Sequence, residues 1–217
     1  MNKVQLSLFI EANYPATAMS IAQRKPLYGV GINDAHYTTT PTVDGARLWD
    51  PAYSAWLNVV RRACDQKFHA VNPTYSDVTV CTEWHSFLAF RSWWLDNYRE
   101  GWQIDKDMLS PGNREYRPDA CIYVPQSLNA FTTDSGESRG ELPIGVSFCK
   151  QTGKYKSYCN NPKTGKQRGL GYFNTPEAAH EAWLNHKLEL AEQLKQDMDA
   201  IDKRIYHNVV KIIKAAI

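Results

Sequence analysis

Apolar residues recur along this chain with two different periods, and the changes of period divide it. Behind Asp50-Pro51, a capping residue followed by proline at the first helical position, Trp56, Val59, Val60 and Ala63 fall at helical spacing. That pattern predicts a helix over about 51–66. A second helix is expected over about 82–98, opening at Thr82 and carrying Trp84, Phe87, Leu88, Trp94 and Leu95. The tryptophans of both helices read as core. Residues 1 to about 48 are broken by Thr, Pro, Gly and Asn, which predicts loops with short strands.

Residues 102–131 predict a short strand, a Pro-Gly-Asn loop, a second strand at Cys121–Val124 and a short helix running into Asn129. The polar stretch at 132–141 then suggests a linker. After it come three strand candidates, at about 145–149, 154–159 and 167–173, separated by turns bearing Thr-Gly-Lys. Thr175-Pro176-Glu177 opens a helix whose stripe of Ala179, Trp183, Leu184, Leu188 and Ala191 can cover one sheet face. A final helical tail carries Ile205, Val209, Ile212 and Ile213, a stripe suited either to internal packing or to a homodimer. The fold class is therefore α+β. An N-terminal domain is expected at 1–135, a three-stranded antiparallel sheet packed on a helix at 142–197, and a C-terminal helix at 198–217.

Charge sharpens this picture. The net charge is only +2, yet between Gly145 and Phe173 there are six basic residues and no acidic one. Alternation in K-Y-K-S-Y puts Lys154, Lys156 and Tyr158 on one face of a strand and Tyr155 on the other. A sheet covered by a helix on one side and lined with Lys, Arg and Tyr on the other can enter a DNA groove, where the cations neutralise phosphates. The alternative is a solvated face that uses lysine for solubility. The five cysteines are odd in number, widely spaced and never in a Cys-x-x-Cys pair, which argues against a zinc ribbon or a disulfide framework. The apolar run near the N-terminus is interrupted at Glu11, and no stretch approaches the length that spans a bilayer. A cytoplasmic protein with no membrane partner is expected.

The segments Gly145-Val146, Gly153-Lys154-Tyr155 and Leu170-Gly171-Tyr172-Phe173-Asn174-Thr175-Pro176-Glu177-Ala178-Ala179, with Ala182-Trp183, resemble the DNA-binding domain of plant ethylene-response factors. That module is also found fused to phage and bacterial homing endonucleases. The resemblance implies a sheet lying in the major groove of duplex DNA. It also implies contacts from Ser147, Lys150, Lys154, Lys156 and Arg168, with Lys166 in the adjoining turn. The plant domains read bases largely with Arg and Trp, whereas this chain offers Ser and Lys, which lack the bidentate fork of arginine.

Upstream, Asp105-Lys106-Asp107, Asn113, Asp119-Ala120-Cys121 and Asn129 are similar to an HNH motif, a ββα-metal unit embedded here in a helical N-terminal domain. Together with Tyr28–Ala35 and the downstream module, the arrangement resembles phage proteins described as HNH endonucleases. That resemblance implies metal-dependent nicking or cleavage of DNA. Asp105, Lys106 and Asn113 would take catalytic positions, and Asp105, Asp107 and Asn113 would hold Mg²⁺ or Mn²⁺. Lys106 stands where the family has a general base, and lysine is ordinarily protonated at neutral pH. A metal-bound water would then replace the base, with Lys106 holding phosphate or the leaving oxygen; His36, if brought near Asp105 by the fold, is a second candidate for the missing base. Two readings from other classes stay open: a DNA-binding protein without catalysis on the same scaffold, and a module that sets the basic sheet against an acidic protein surface.

Overall fold

Asn2 and Gln5 form a reciprocal capping box, and a helix (α1, Lys3–Asn13) follows where the polar pattern predicts loops. Its apolar stripe is weak, because it buries little more than Ser7 and Ile10. A short helix (α2, Ala18–Ala22) comes next, and an Asp44-Gly45 turn joins the two-residue strands β1 (Thr42–Val43) and β2 (Ala46–Arg47). The computed structural model describes residues 1–133 and 140–216; the expected linker lies, over residues 134–139, outside the described residues. It resolves two compact units, Met1–Asp107 with Gly112–Tyr123, and Met108–Pro111 with Val124–Ile217.

In the first unit Asp50 caps α3 (Pro51–Cys64) through Oδ1, which accepts from the Ala52 N–H at 2.8 Å. Asp65 then caps α4 (Gln66–Val71). The second expected helix begins later than predicted. Thr82–His85 is a 3₁₀ turn, and α5 (Phe87–Asn97) starts behind Ser86, whose hydroxyl accepts from the Ala89 N–H. The cap is thus Ser86 rather than Thr82. Strand β3 (Thr79–Val80) pairs in parallel with β5 (Glu115–Tyr116), and β4 (Trp102–Asp105) pairs with β6 (Ile122–Pro125).

The core gathers Trp56, Val59 and Val60 of α3 with Trp84, Phe87, Phe90 and Trp94, all at most 1 % exposed. Trp56 Nε1 donates to the Trp84 carbonyl at 2.7 Å, so the largest side chain on α3 is also tied to the 3₁₀ turn. Tyr28–Ala35 serves this core. Gly31 lies so close to Trp56 and Val60 that a Cβ would meet them at 3.1–3.2 Å, and Asp34 accepts from the Leu88 N–H at the start of α5.

Within this unit sits a buried cation. Arg91 Nε donates to Ser7 Oγ at 3.1 Å, and Nη2 pairs with Glu11 at 2.7 Å. The guanidinium stands over the Tyr37 ring, and Nε lies 4.0 Å from the fully buried Asp50. Tyr37 donates its hydroxyl to Asp50, and burial together with that carboxylate pushes its phenol pKa up.

Helix α6 (Gln126–Thr132) falls in the second unit, so the division comes at Val124 rather than near 135. Strands β7 (Val146–Cys149), β8 (Lys154–Asn160) and β9 (Gln167–Phe173) form the expected antiparallel meander in the order β7-β8-β9. Thr175 caps α7 (Pro176–Gln193), which crosses one face of the sheet and buries Ala179, His180 and Trp183 there. Helices α8 (Lys195–Ile201) and α9 (Lys203–Ala215) complete the unit. Ile205, Val209 and Ile213 are at most 2 % exposed and pack within it, with Ile212 part-buried, so of the two uses open to the C-terminal stripe the structure shows internal packing. Asn208 Nδ2 donates to the carbonyls of Met108 and Leu109 and holds that short segment in the unit.

Two substitutions test these packings. Gly145 has φ +78°, and a Cβ there would lie 2.1 Å from Trp183. Gly145→Ala is expected to cost about 2–4 kcal/mol in chemical denaturation, from left-handed strain plus displacement of the indole. Arg91→Met, which strands Asp50 and Glu11 beside an apolar chain, is expected to lower unfolding stability by about 3–5 kcal/mol, read by tryptophan fluorescence.

Candidate nucleic-acid interface

Cross-strand register sorts the sheet into two faces. Ser147 lies opposite Lys156 and Lys156 opposite Tyr172, forming one row; Cys149 opposite Lys154 forms the next, and Tyr158 opposite Gly169 a third. Directly paired residues project to the same side. The alternate set, Val146, Phe148, Tyr155, Ser157 and Phe173, therefore faces α7, and Val146 and Ser157 are buried there. The open face thus carries Ser147, Lys154, Lys156, Tyr158 and the half-exposed Tyr172.

Arg168 departs from the expected grouping. The register shifts between Ser157 and Tyr158, so that Gly171 pairs with Ser157 but Gly169 with Tyr158. This bulge puts Arg168 opposite Cys159, which is 2 % exposed on the α7 side. Arg168 is exposed but leaves the sheet on the side away from Lys154 and Lys156. Lys150 lies in the turn after β7 rather than on a strand, and Lys166 in the turn before β9; both are exposed. Lys163 is committed to Asp197 at 3.3 Å and to the Gln193 carbonyl. Lys150, Lys154, Lys156, Lys166 and Arg168 make no ion pair among the described residues. The positive field is felt locally: the Cys149 thiol pKa is lowered, first by a hydrogen bond from Thr152 and in part by Lys156.

Sequence reasoning missed Tyr172 as a member of this face. Its signal was the alternation Tyr172-Phe173 set against Tyr155-Lys156, which becomes readable only once the register is known. Gly169 adds a second feature, since a Cβ there would meet nothing within 4 Å. Packing does not require this glycine, and its absence of side chain leaves the open face flat beside Tyr158.

The loop between β4 and β5 does bring the expected residues together. Asp105 Oδ1 accepts from the Asp107 N–H at 2.9 Å. Lys106 is 8 % exposed, and its Nζ donates to Asp107 Oδ2 at 3.1 Å and to the Asn113 carbonyl at 3.2 Å. Asn113 Nδ2 donates to the carbonyls of Lys106 and Glu115, at 2.6 and 2.7 Å, and its Oδ1 accepts from the Glu115 N–H.

Both ends of the Asn113 amide are therefore spent on closing its own loop, and an ammonium already sits against Asp107. These residues do not fit a divalent ion. Ala120 and Cys121, in the segment that resembles the later part of the HNH motif, are buried, and burial pushes the Cys121 thiol up. No group of three His, Cys, Asp or Glu side chains able to hold a metal occurs among the described residues. His36 is not at this loop: it pairs with Glu11 at 3.4 Å and edges onto Tyr37. His85, in the 3₁₀ turn, accepts from the Ile32 N–H with its carbonyl. Asn129 offers its carbonyl to Thr132 and Thr133.

No family model, curated protein or solved structure matches this chain. Among the described residues no helix is long and apolar enough to cross a membrane.

The loop predicts a structural outcome. Asn113→Ala removes the donor to two carbonyls and is expected to destabilise the first unit by about 2–3 kcal/mol. Millimolar Mg²⁺ or Mn²⁺ is expected to leave the wild-type melting temperature unchanged. A metal-dependent rise that disappears in Asp105→Ala would show instead that the loop takes an ion.

Proposed function

We propose that this protein binds duplex DNA through the open face of its three-stranded sheet. The observation that carries the reading is the row of Ser147, Lys156 and Tyr172 beside Lys154, free of carboxylates, on a face opposite the covering helix. Phosphate contacts by Lys154 and Lys156, with Lys150 and Lys166 in the flanking turns, would release counterions and supply most of the affinity. Ser147 and Tyr172 add neutral hydrogen-bonding groups, and the flat surface at Gly169 admits close approach. Placement in the major groove is what the resemblance to the ethylene-response-factor domain implies.

The endonuclease reading has one observation in its favour, two carboxylates, Asp105 and Asp107, on one ordered loop. The commitment of Lys106 and Asn113 to that loop's own hydrogen bonds weighs the other way. Binding without catalysis is thus the reading the geometry supports best.

The test is retardation of duplex DNA over a salt series, with and without Mg²⁺ or Mn²⁺. The double variant Lys154→Ala/Lys156→Ala is expected to bind roughly ten- to a hundredfold more weakly and to reduce the salt slope by about 2. Asp105→Ala is expected to bind as wild type. Metal-dependent nicking by wild type that Asp105→Ala abolishes would restore the enzyme. An affinity with no salt dependence would point to an acidic protein partner instead.

A further inference from the structure

Lysine 187 on α7 is the one cation of the second unit's interior face that nothing neutralises among the described residues. Its Nζ stands 3.8 Å from the centroid of the Phe131 ring on α6 and 5.7 Å from that of Trp183 one turn back. Both rings are only 4 % exposed, so the ammonium rests on an aromatic floor rather than projecting into water. Its neighbour is the buried Cys159, and the weight of burial lowers the lysine pKa, with no carboxylate acting to raise it. Of the other part-buried lysines and arginines among the described residues of this unit, Lys195 is paired with Asp199 and Lys156 lies on the open sheet face.

This cation lines a cavity of about 430 Å³ between α6, α7 and the β8–β9 turn. The described lining includes Ser127, Phe131, Asn160, Asn161, Trp183 and Lys187, and it contains no Asp or Glu, leaving Lys187 as its single charge. Asn161 Oδ1 is occupied by the N–H groups of Lys163 and Thr164, so what that side chain still presents is its amide donor. The volume lies within the range of small-molecule sites. The chemistry is one-sided: an aromatic wall, several hydrogen-bond donors and one positive charge. A ring cation interaction holds the ammonium in place but does not satisfy its three N–H donors.

We propose that this cavity binds a small aromatic anion, its phosphate or carboxylate on Lys187 Nζ and its ring in the space lined by Ser127, Tyr158 and Asn160, with Phe131 and Trp183 at the edge. The site lies between α6, α7 and the β8–β9 turn and has Tyr158 in its lining in common with the open face, but not Lys154 or Lys156, and the inference does not rest on the DNA-binding reading. Phe131, Trp183, Cys159 and Lys187 take no part in that face. A neutral ligand of the same shape would leave the ammonium desolvated and unpaired, so charge on the ligand is what the pocket selects.

The experiment is calorimetric titration of the full chain with three probes: phenyl phosphate, phenol and inorganic phosphate. Phenyl phosphate is expected to bind at one site per chain, more tightly than either part alone. Lys187→Met, which keeps the bulk of the side chain, is expected to weaken phenyl phosphate about tenfold or more while leaving phenol unchanged. Lys187→Arg is expected to keep most of the affinity, and both variants are expected to retard DNA as wild type does. Equal binding of phenyl phosphate to wild type and Lys187→Met would overturn the proposal, as would absence of saturable binding. Loss of phenyl phosphate binding in Lys154→Ala/Lys156→Ala would also overturn it, by assigning the anion to the open face. Should Lys187→Met fail to fold, amide shifts in the wild-type spectrum decide: perturbation centred on Phe131, Cys159 and Trp183 supports the site, and perturbation centred on Lys154 and Lys156 refutes it.

Discussion

The first unit depends on neutralising one guanidinium in an apolar interior. An isolated charge costs far more to bury than any single packing contact returns, so Arg91 is tolerable only with its full set of partners. Those partners all come from the first fifty residues, distant in sequence from Arg91: Ser7 and Glu11 from α1, Tyr37 from the following loop, Asp50 from the start of α3. Asp50 is at the same time the cap of α3, so helix initiation and charge compensation are one event. This arrangement explains why α1 forms although its apolar stripe is weak. The helix is held in the fold by what it offers Arg91 as much as by Ile10.

The same rule separates the basic residues of the molecule into groups with different roles. Arg91 and Lys106 are buried and matched, which makes them architecture. Lys163 is exposed and tied to Asp197, which spends it locally. Among the described residues Lys154 and Lys156 stand on an open face without counter-charge, and Lys187 stands under cover without one. Other lysines, Lys203, Lys211 and Lys214 among them, also make no ion pair among the described residues, so an unpaired cation alone marks nothing; what distinguishes Lys154 and Lys156 is their shared open face, and Lys187 its place under cover beside aromatic rings.

Local chemistry made much of this legible in the sequence. The meander strands, the Thr175-Pro176 start of α7 and the Asp50-Pro51 start of α3 all fall where turn and cap residues put them. What was hidden depends on tertiary pairing. The α1 capping box at Asn2 and Gln5 was readable, but the missing apolar stripe masked it. Ser86 won the cap of α5 from Thr82 because Asp34, distant in sequence, also engages the first turn of that helix. The face of Arg168 could not be read by alternation, since a single extra residue in β9 reverses it. Lys106 shows the limit of motif reading most directly. The spacing of Asp105, Asp107 and Asn113 suggests ligands, yet the Lys106 ammonium sits against Asp107 and the Asn113 carbonyl where an ion would, and the loop closes on its own hydrogen bonds.

The composition of the open face also bears on what kind of DNA binding it can support. Arginine recognises guanine with two parallel donors, and that geometry is what converts a contact into sequence discrimination. Lysine is a point charge on a flexible stem, and its attraction to phosphate is nearly the same on every sequence. Here the charged positions of the open face, Lys154 and Lys156, are lysines, the arginine of β9 is turned to the other side by the bulge, and the neutral members of the central row, Ser147 and Tyr172, carry one hydroxyl each. On the proposed reading such a face binds strongly and salt-sensitively while discriminating little by direct contact. Any selectivity would have to come from the shape of the groove against the flat patch at Gly169, or from elements of the chain other than this sheet.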